Sequence, residues 1–111
     1  MDEIHNNLAN YNGPVLNFIY GTVDNHIGYL NIGNLPVKNH PENIFIMDGT
    51  KLENDWVRFY NKSENPFVKD PKKGYIVTAN NKIATDNLVN HVCVNSITHA
   101  RSHKITELLK K

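Results

Sequence analysis

Val15-Leu16-Asn17-Phe18-Ile19-Tyr20-Gly21-Thr22-Val23, then Asp24-Asn25-His26, then Ile27-Gly28-Tyr29-Leu30-Asn31-Ile32 is the stretch whose reading decides the fold. Two runs rich in β-branched and aromatic residues flank three turn formers, which predicts a β-hairpin over about 15–32. Neither run alternates strictly between polar and apolar residues. A strand apolar on both faces belongs inside a layered sheet rather than on a wet edge.

Before the hairpin, residues 1–13 are polar and Asn-rich and end in Asn12-Gly13-Pro14, a loose or weakly helical lead-in. After it, residues 33–73 read as a long loop with Pro36, Pro41 and Gly49 and one apolar island, Ile44-Phe45-Ile46-Met47. A loop of that length either wraps a larger body or lines a site. Trp56, Phe59, Tyr60 and Phe67 are interleaved with charges. Aromatics among basic residues suit base stacking, but the balanced charge of the chain favours a packing role.

A further strand is predicted over 74–80, in Gly74-Tyr75-Ile76-Val77-Thr78-Ala79-Asn80-Asn81. Alternation along a strand sends Asn80 and Asn81 to opposite faces, so one amide can face a site while the other ties down the chain. A carboxamide offers two N–H donors without a titrating charge, which suits a developing oxyanion. The same pair also reads as a plain turn.

The clearest helix runs from about 96 to 110, with Asn95 or Ser96 as cap and Lys110-Lys111 at its negative end. At about 100° per residue, Ile97, Ala100, Ile105, Leu108 and Leu109 form one stripe, and Arg101 falls in its middle. Either the arginine stem snorkels to the edge, or its charge meets a partner such as a carboxylate or a reacting oxygen. His99 and His103 have the spacing of a metal pair, but they face away from the stripe and no third ligand is placed, so no metal is expected. Cys93, near His91, reads as a small buried hydrophobe. Asn61-Lys62-Ser63 has the pattern of an N-glycosylation acceptor, which matters only in a secretory pathway.

The 111 residues amount to at most one small domain, an α+β one on these elements. Twelve Lys+Arg against 11 Asp+Glu, a net charge of +1, give no support for a nucleic-acid or anionic membrane partner. The single cysteine excludes an intrachain disulfide. No apolar run is long enough to span a bilayer, and Met1-Asp2-Glu3-Ile4-His5 has no signal-peptide character, so a soluble chain is expected and its compartment stays open.

Phe18 to Tyr29, then Gly49, Trp56, Asn65-Pro66, Asp70-Pro71, Gly74 to Asn81 and Arg101 to Leu109 together resemble the penicillin acylase (penicillin amidase) family, over its second half of the large subunit. The resemblance implies a partial N-terminal-nucleophile-hydrolase sandwich, with antiparallel sheets layered between helices. It implies hydrolysis of linear amides by a serine that self-cleavage exposes and whose own α-amine is the base. It further implies that Asn80 donates its side-chain amide to the oxyanion, that Arg101 polarises and positions the catalytic groups, and that no cofactor is needed. The sequence departs from the family at Arg58 and Asn61-Lys62, where a glycine and a proline-phenylalanine pair are usual. The loop Thr85 to Asn90 offers only Asp86, out of place, to the calcium known in some members, so calcium is not carried over. No serine, threonine or cysteine follows a small residue near Met1-Asp2-Glu3. The chain is therefore expected to be a fragment without turnover of its own, partnered by the remainder of a precursor or a complementary chain. The alternative is a non-catalytic interaction module or a degenerate remnant that kept the fold.

Overall fold

The second run of the hairpin, Ile27–Ile32 (β2), is the central strand of a three-stranded antiparallel sheet. On one side it pairs with Leu16–Gly21 (β1) in unbroken register, from Leu16 opposite Ile32 to Gly21 opposite Ile27. The turn closes through Thr22 N–H to the His26 carbonyl at 2.9 Å and Asn25 N–H to the Thr22 carbonyl at 3.1 Å. Asn25 takes φ 63°, a left-handed conformation that asparagine tolerates better than most residues. On the other side, β2 pairs with a three-residue strand, Phe67–Lys69, with Leu30 opposite Phe67 and Gly28 opposite Lys69. A second, two-stranded sheet joins Pro36–Lys38 (β3) to Trp56–Phe59 (β4), with a register shift between Val37 and Lys38. In chain order Phe67–Lys69 is then β5.

The structure, a computed structural model, describes residues 2–41, 43, 45–82 and 99–110. Its helices are Asp2–Ala9 (α1), which packs against β2, and Ala100–Leu109 (α2). The mixed α+β class, the antiparallel sheets and the C-terminal helix are as the sequence predicts. No described helix is long and apolar enough to cross a membrane.

Tyr29, Leu30 and Ile32 supply most of the described core, joined by Leu35 and Ala79. β2 is buried on both faces, which is why it shows no alternation. β1 is instead an edge with Leu16 and Ile19 about half exposed, so the inside-a-sheet reading holds for only one of the two runs.

Buried Asn31 and Asn65 stitch the centre together. Asn65 Nδ2 donates to the Asn31 and Gly33 carbonyls at 3.0 and 3.3 Å, and Asn31 N–H donates to the Pro66 carbonyl at 2.8 Å. Tyr29 O–H donates to Asn17 Oδ1 at 2.9 Å. Gly33 follows β2 at φ 101°, and any Cβ there would come within 2.6 Å of the Pro14 carbonyl oxygen.

Three boundaries differ from the expectations. The lead-in 1–13 is firmly helical over Asp2–Ala9. The span 33–73 is no single loop, because it holds β3, β4, β5 and 3-10 turns at Leu52–Asn54 and Lys62–Glu64. Conversely, no strand forms over 74–80. A strand requires ladder partners as well as suitable residues, and Asn80, at φ 59°, turns the chain out of extended conformation. The expectations for Cys93, His91, Asp86 within Thr85 to Asn90, the caps Asn95 and Ser96, Ile97 and the first turn of the C-terminal helix lie outside the described residues.

Candidate functional site

Asn80 and Arg101 meet although they are 21 residues apart: Arg101 Nη2 donates to Asn80 Oδ1 at 2.5 Å. Arg101 sits in the first turn of α2, where Ser102 Oγ donates to the His99 carbonyl at 2.9 Å and His103 N–H closes on the same carbonyl at 2.8 Å. Ser102 is buried, which roots this end of the helix, while Arg101 and Asn80 are exposed. Of the two readings left open for Arg101, the charge does find a partner, and it is a carboxamide oxygen rather than a carboxylate. The stripe on which it sits is not covered: Ile105, Leu108 and Leu109 are all substantially exposed.

The contact determines how Asn80 presents itself. A guanidinium has only donors, so it accepts no Nδ2 in place of Oδ1 and the amide cannot flip. Oδ1 is engaged, and the two N–H donors are turned away from Arg101. Withdrawal of electron density toward the cation also strengthens those N–H groups as donors.

The backbone of Asn80 is held by its neighbour. Asn81 Oδ1 accepts the Ala79 N–H at 2.8 Å, and Asn81 Nδ2 reaches the Lys82 carbonyl at 3.4 Å. Asn81 thus ties down the chain, through a left-handed turn at Asn80 and not through strand alternation. Beside this turn lies a groove of about 280 Å³ whose walls include Tyr29, Val68, Ile76, Thr78 and Asn81. Consecutive residues Ile76, Val77 and Thr78 all line it, as they can where no strand ladder forms.

This arrangement offers a neutral, oriented pair of N–H donors on a turn whose neighbours Thr78 and Asn81 line a small, largely apolar groove. That is the equipment for holding an oxyanion. The profile of the penicillin amidase family matches residues 1–111. The chain belongs to that family. It is also similar to the penicillin acylase 2 proenzyme of Pseudomonas sp. (strain SE83), with 29% identity over 93 residues, 84% of this chain and 12% of that protein. The chain thus spans about an eighth of the length of that relative.

Other residues of this penicillin amidase-family chain serve the frame. Asp70 caps the hairpin: Oδ1 accepts the Ile27 N–H at 3.0 Å and Oδ2 pairs with His26 Nδ1 at 2.9 Å. The Ile27 N–H first, and His26 after it, hold the Asp70 carboxyl below the usual range. Lys62 donates to the Tyr11 carbonyl at 3.0 Å and to Asn34 Oδ1 at 2.7 Å. Arg58 lies 5.2 Å from the Tyr60 ring centre and 3.6 Å from Glu64. His103, of the histidine pair, lies 3.6 Å from Glu107.

Sequence reasoning missed the structural roles of Asn65 and Asp70. Each precedes a proline. The one available sign for Asp70 is a carboxylate placed before Pro71, where the preceding residue is pushed out of helical conformation and its side chain is free to cap neighbouring N–H groups.

Proposed function

We propose that this chain supplies the oxyanion-binding part of a penicillin acylase-type amide hydrolase, which cleaves a carbon–nitrogen bond in a linear amide. A serine Oγ from outside this chain attacks the carbonyl carbon, and its proton is taken by that serine's own α-amine. As the C–O bond forms, the carbonyl oxygen gains negative charge and accepts from Asn80 Nδ2 and from a backbone N–H supplied elsewhere. Collapse breaks the C–N bond, the amine leaves with the proton, and water then cleaves the ester. Arg101 acts through Asn80, fixing Oδ1 so that Nδ2 addresses the oxyanion.

The single observation that carries this reading is the Arg101 Nη2 to Asn80 Oδ1 hydrogen bond, which orients the one amide that the family resemblance assigns to catalysis. The activity belongs to the chain combined with a nucleophile-bearing partner, the remainder of a precursor or a complementary chain. The decisive test is hydrolysis of chromogenic phenylacetyl and aliphatic acyl amides by the chain alone and after combination with that partner. Activity is expected only in combination, and it should vanish in Asn80→Gly. Hydrolysis that Asn80→Gly leaves intact would refute the assignment. If instead Arg101→Leu raises the stability of the isolated chain and leaves its partner binding intact, a non-catalytic interaction module is the better description.

A further inference from the structure

We infer that Asn81 is a positioning residue for Asn80, an inference that rests on the oxyanion role proposed above. Asn80 sits at φ 59°, a left-handed conformation that asparagine tolerates better than most residues but that is not its ordinary one. Residues 75–78 have no ladder to hold it there. The constraint is local: Asn81 Oδ1 takes the Ala79 N–H at 2.8 Å and Asn81 Nδ2 reaches forward to the Lys82 carbonyl at 3.4 Å, so one side chain clasps the backbone on both sides of Asn80. Ala79 is itself buried, which anchors the near end of the clasp.

The direction of the Asn80 amide is therefore set twice. Arg101 fixes rotation about the side chain, and Asn81 fixes the backbone from which that side chain projects. An oxyanion donor must be placed within a few tenths of an ångström of where charge develops. Loss of the clasp lets Asn80 relax toward ordinary φ, swinging Nδ2 away, while the other groove walls, Tyr29, Val68, Ile76 and Thr78, stay in place. Because ground-state binding does not depend on this donor, the loss falls on kcat and not on KM.

The test compares Asn81→Leu, which removes the acceptor, with Asn81→Asp, which keeps an acceptor for Ala79 N–H, both in the chain combined with its nucleophile-bearing partner. Asn81→Leu is expected to lower kcat by about tenfold to a hundredfold at constant KM, and Asn81→Asp to recover most of the loss. Equal losses in both variants, or a loss in KM alone, would overturn the inference. If Asn80→Gly abolishes turnover while Asn81→Leu retains it, the positioning role fails and the oxyanion role stands. If Asn80→Gly retains turnover, both fall. A second readout needs no activity: in the isolated chain, the Ala79 amide should exchange more slowly than those of residues 75–78, and Asn81→Asp should preserve that protection. Exchange of Ala79 as fast as its neighbours would overturn the clasp directly.

Discussion

The Arg101 guanidinium donates to Asn80 Oδ1 across 21 residues of chain, so the amide on the turn and the first turn of α2 form one unit. Removing the arginine frees the Asn80 amide to rotate, so Arg101→Leu in the combined enzyme is expected to reduce kcat by about tenfold or more with a smaller change in KM. Steady-state kinetics on a chromogenic amide measures this, and an unchanged kcat would refute the coupling.

The choice of substitution at Asn80 matters because of its backbone. Alanine removes the amide and leaves a Cβ in a left-handed conformation that asparagine tolerates better, at about 1 kcal/mol, whereas glycine removes the Cβ along with the amide and adopts that conformation freely. Both variants should lose on the order of a hundredfold in kcat, but only Asn80→Ala should also lower the melting temperature. Calorimetry beside kinetics separates the two effects.

Asp70 makes the hairpin acid-sensitive. Its folded pKa lies below the ordinary value, through the Ile27 N–H first and His26 second, so its contribution to stability is present above the unfolded value of about 3.9 and is lost as pH falls through the folded one. Urea midpoints are expected to drop for the wild type below about pH 4. Asp70→Asn should be less stable at neutral pH and show a flatter profile in acid.

Glycine replacements should rank by what the new Cβ meets. At Gly33 it meets the Pro14 backbone at φ 101°, so Gly33→Ala should destabilise by roughly 1–3 kcal/mol. At Gly49 no described residue lies within 4 Å of it, and Gly49→Ala should be nearly neutral. Equal effects at the two sites, read by chemical denaturation, would contradict the packing described.

Apolar surface predicts association. Trp56, Val57 and Phe59 on β4 and Leu108 and Leu109 on α2 are each about half exposed, more than a stable monomer usually leaves uncovered. Sedimentation of the isolated chain should show self-association or binding of apolar dyes. A monodisperse, highly stable monomer would oppose this.

The hairpin was legible because strand-type residues, turn formers and pairing all lie within one short stretch, and local pairing fixes register. β3 and β5 were not, since three residues give no periodicity and their partners are distant in sequence. The segment 74–80 misled for the opposite reason: its residue types suit a strand, but a ladder depends on neighbours that composition does not reveal. At the site, the odd placement of Arg101 on an apolar stripe was readable, whereas the identity of its partner was not. Asn65 was invisible as a core residue because an asparagine beside a proline reads as surface turn until its two carbonyl acceptors are seen.

The central place of β2 between a near and a far neighbour carries a consequence for the order of assembly. Its pairing with β1 spans only a tight turn, so hairpin closure belongs to the microsecond range. Its pairing with β5 must first close the long excursion through β3 and β4, which is entropically dearer and slower. Folding should thus begin at Thr22–His26 and finish when Phe67–Lys69 docks and Asp70 latches onto Ile27. Substitutions in the β1–β2 turn should slow folding, while those at Asp70 should chiefly hasten unfolding.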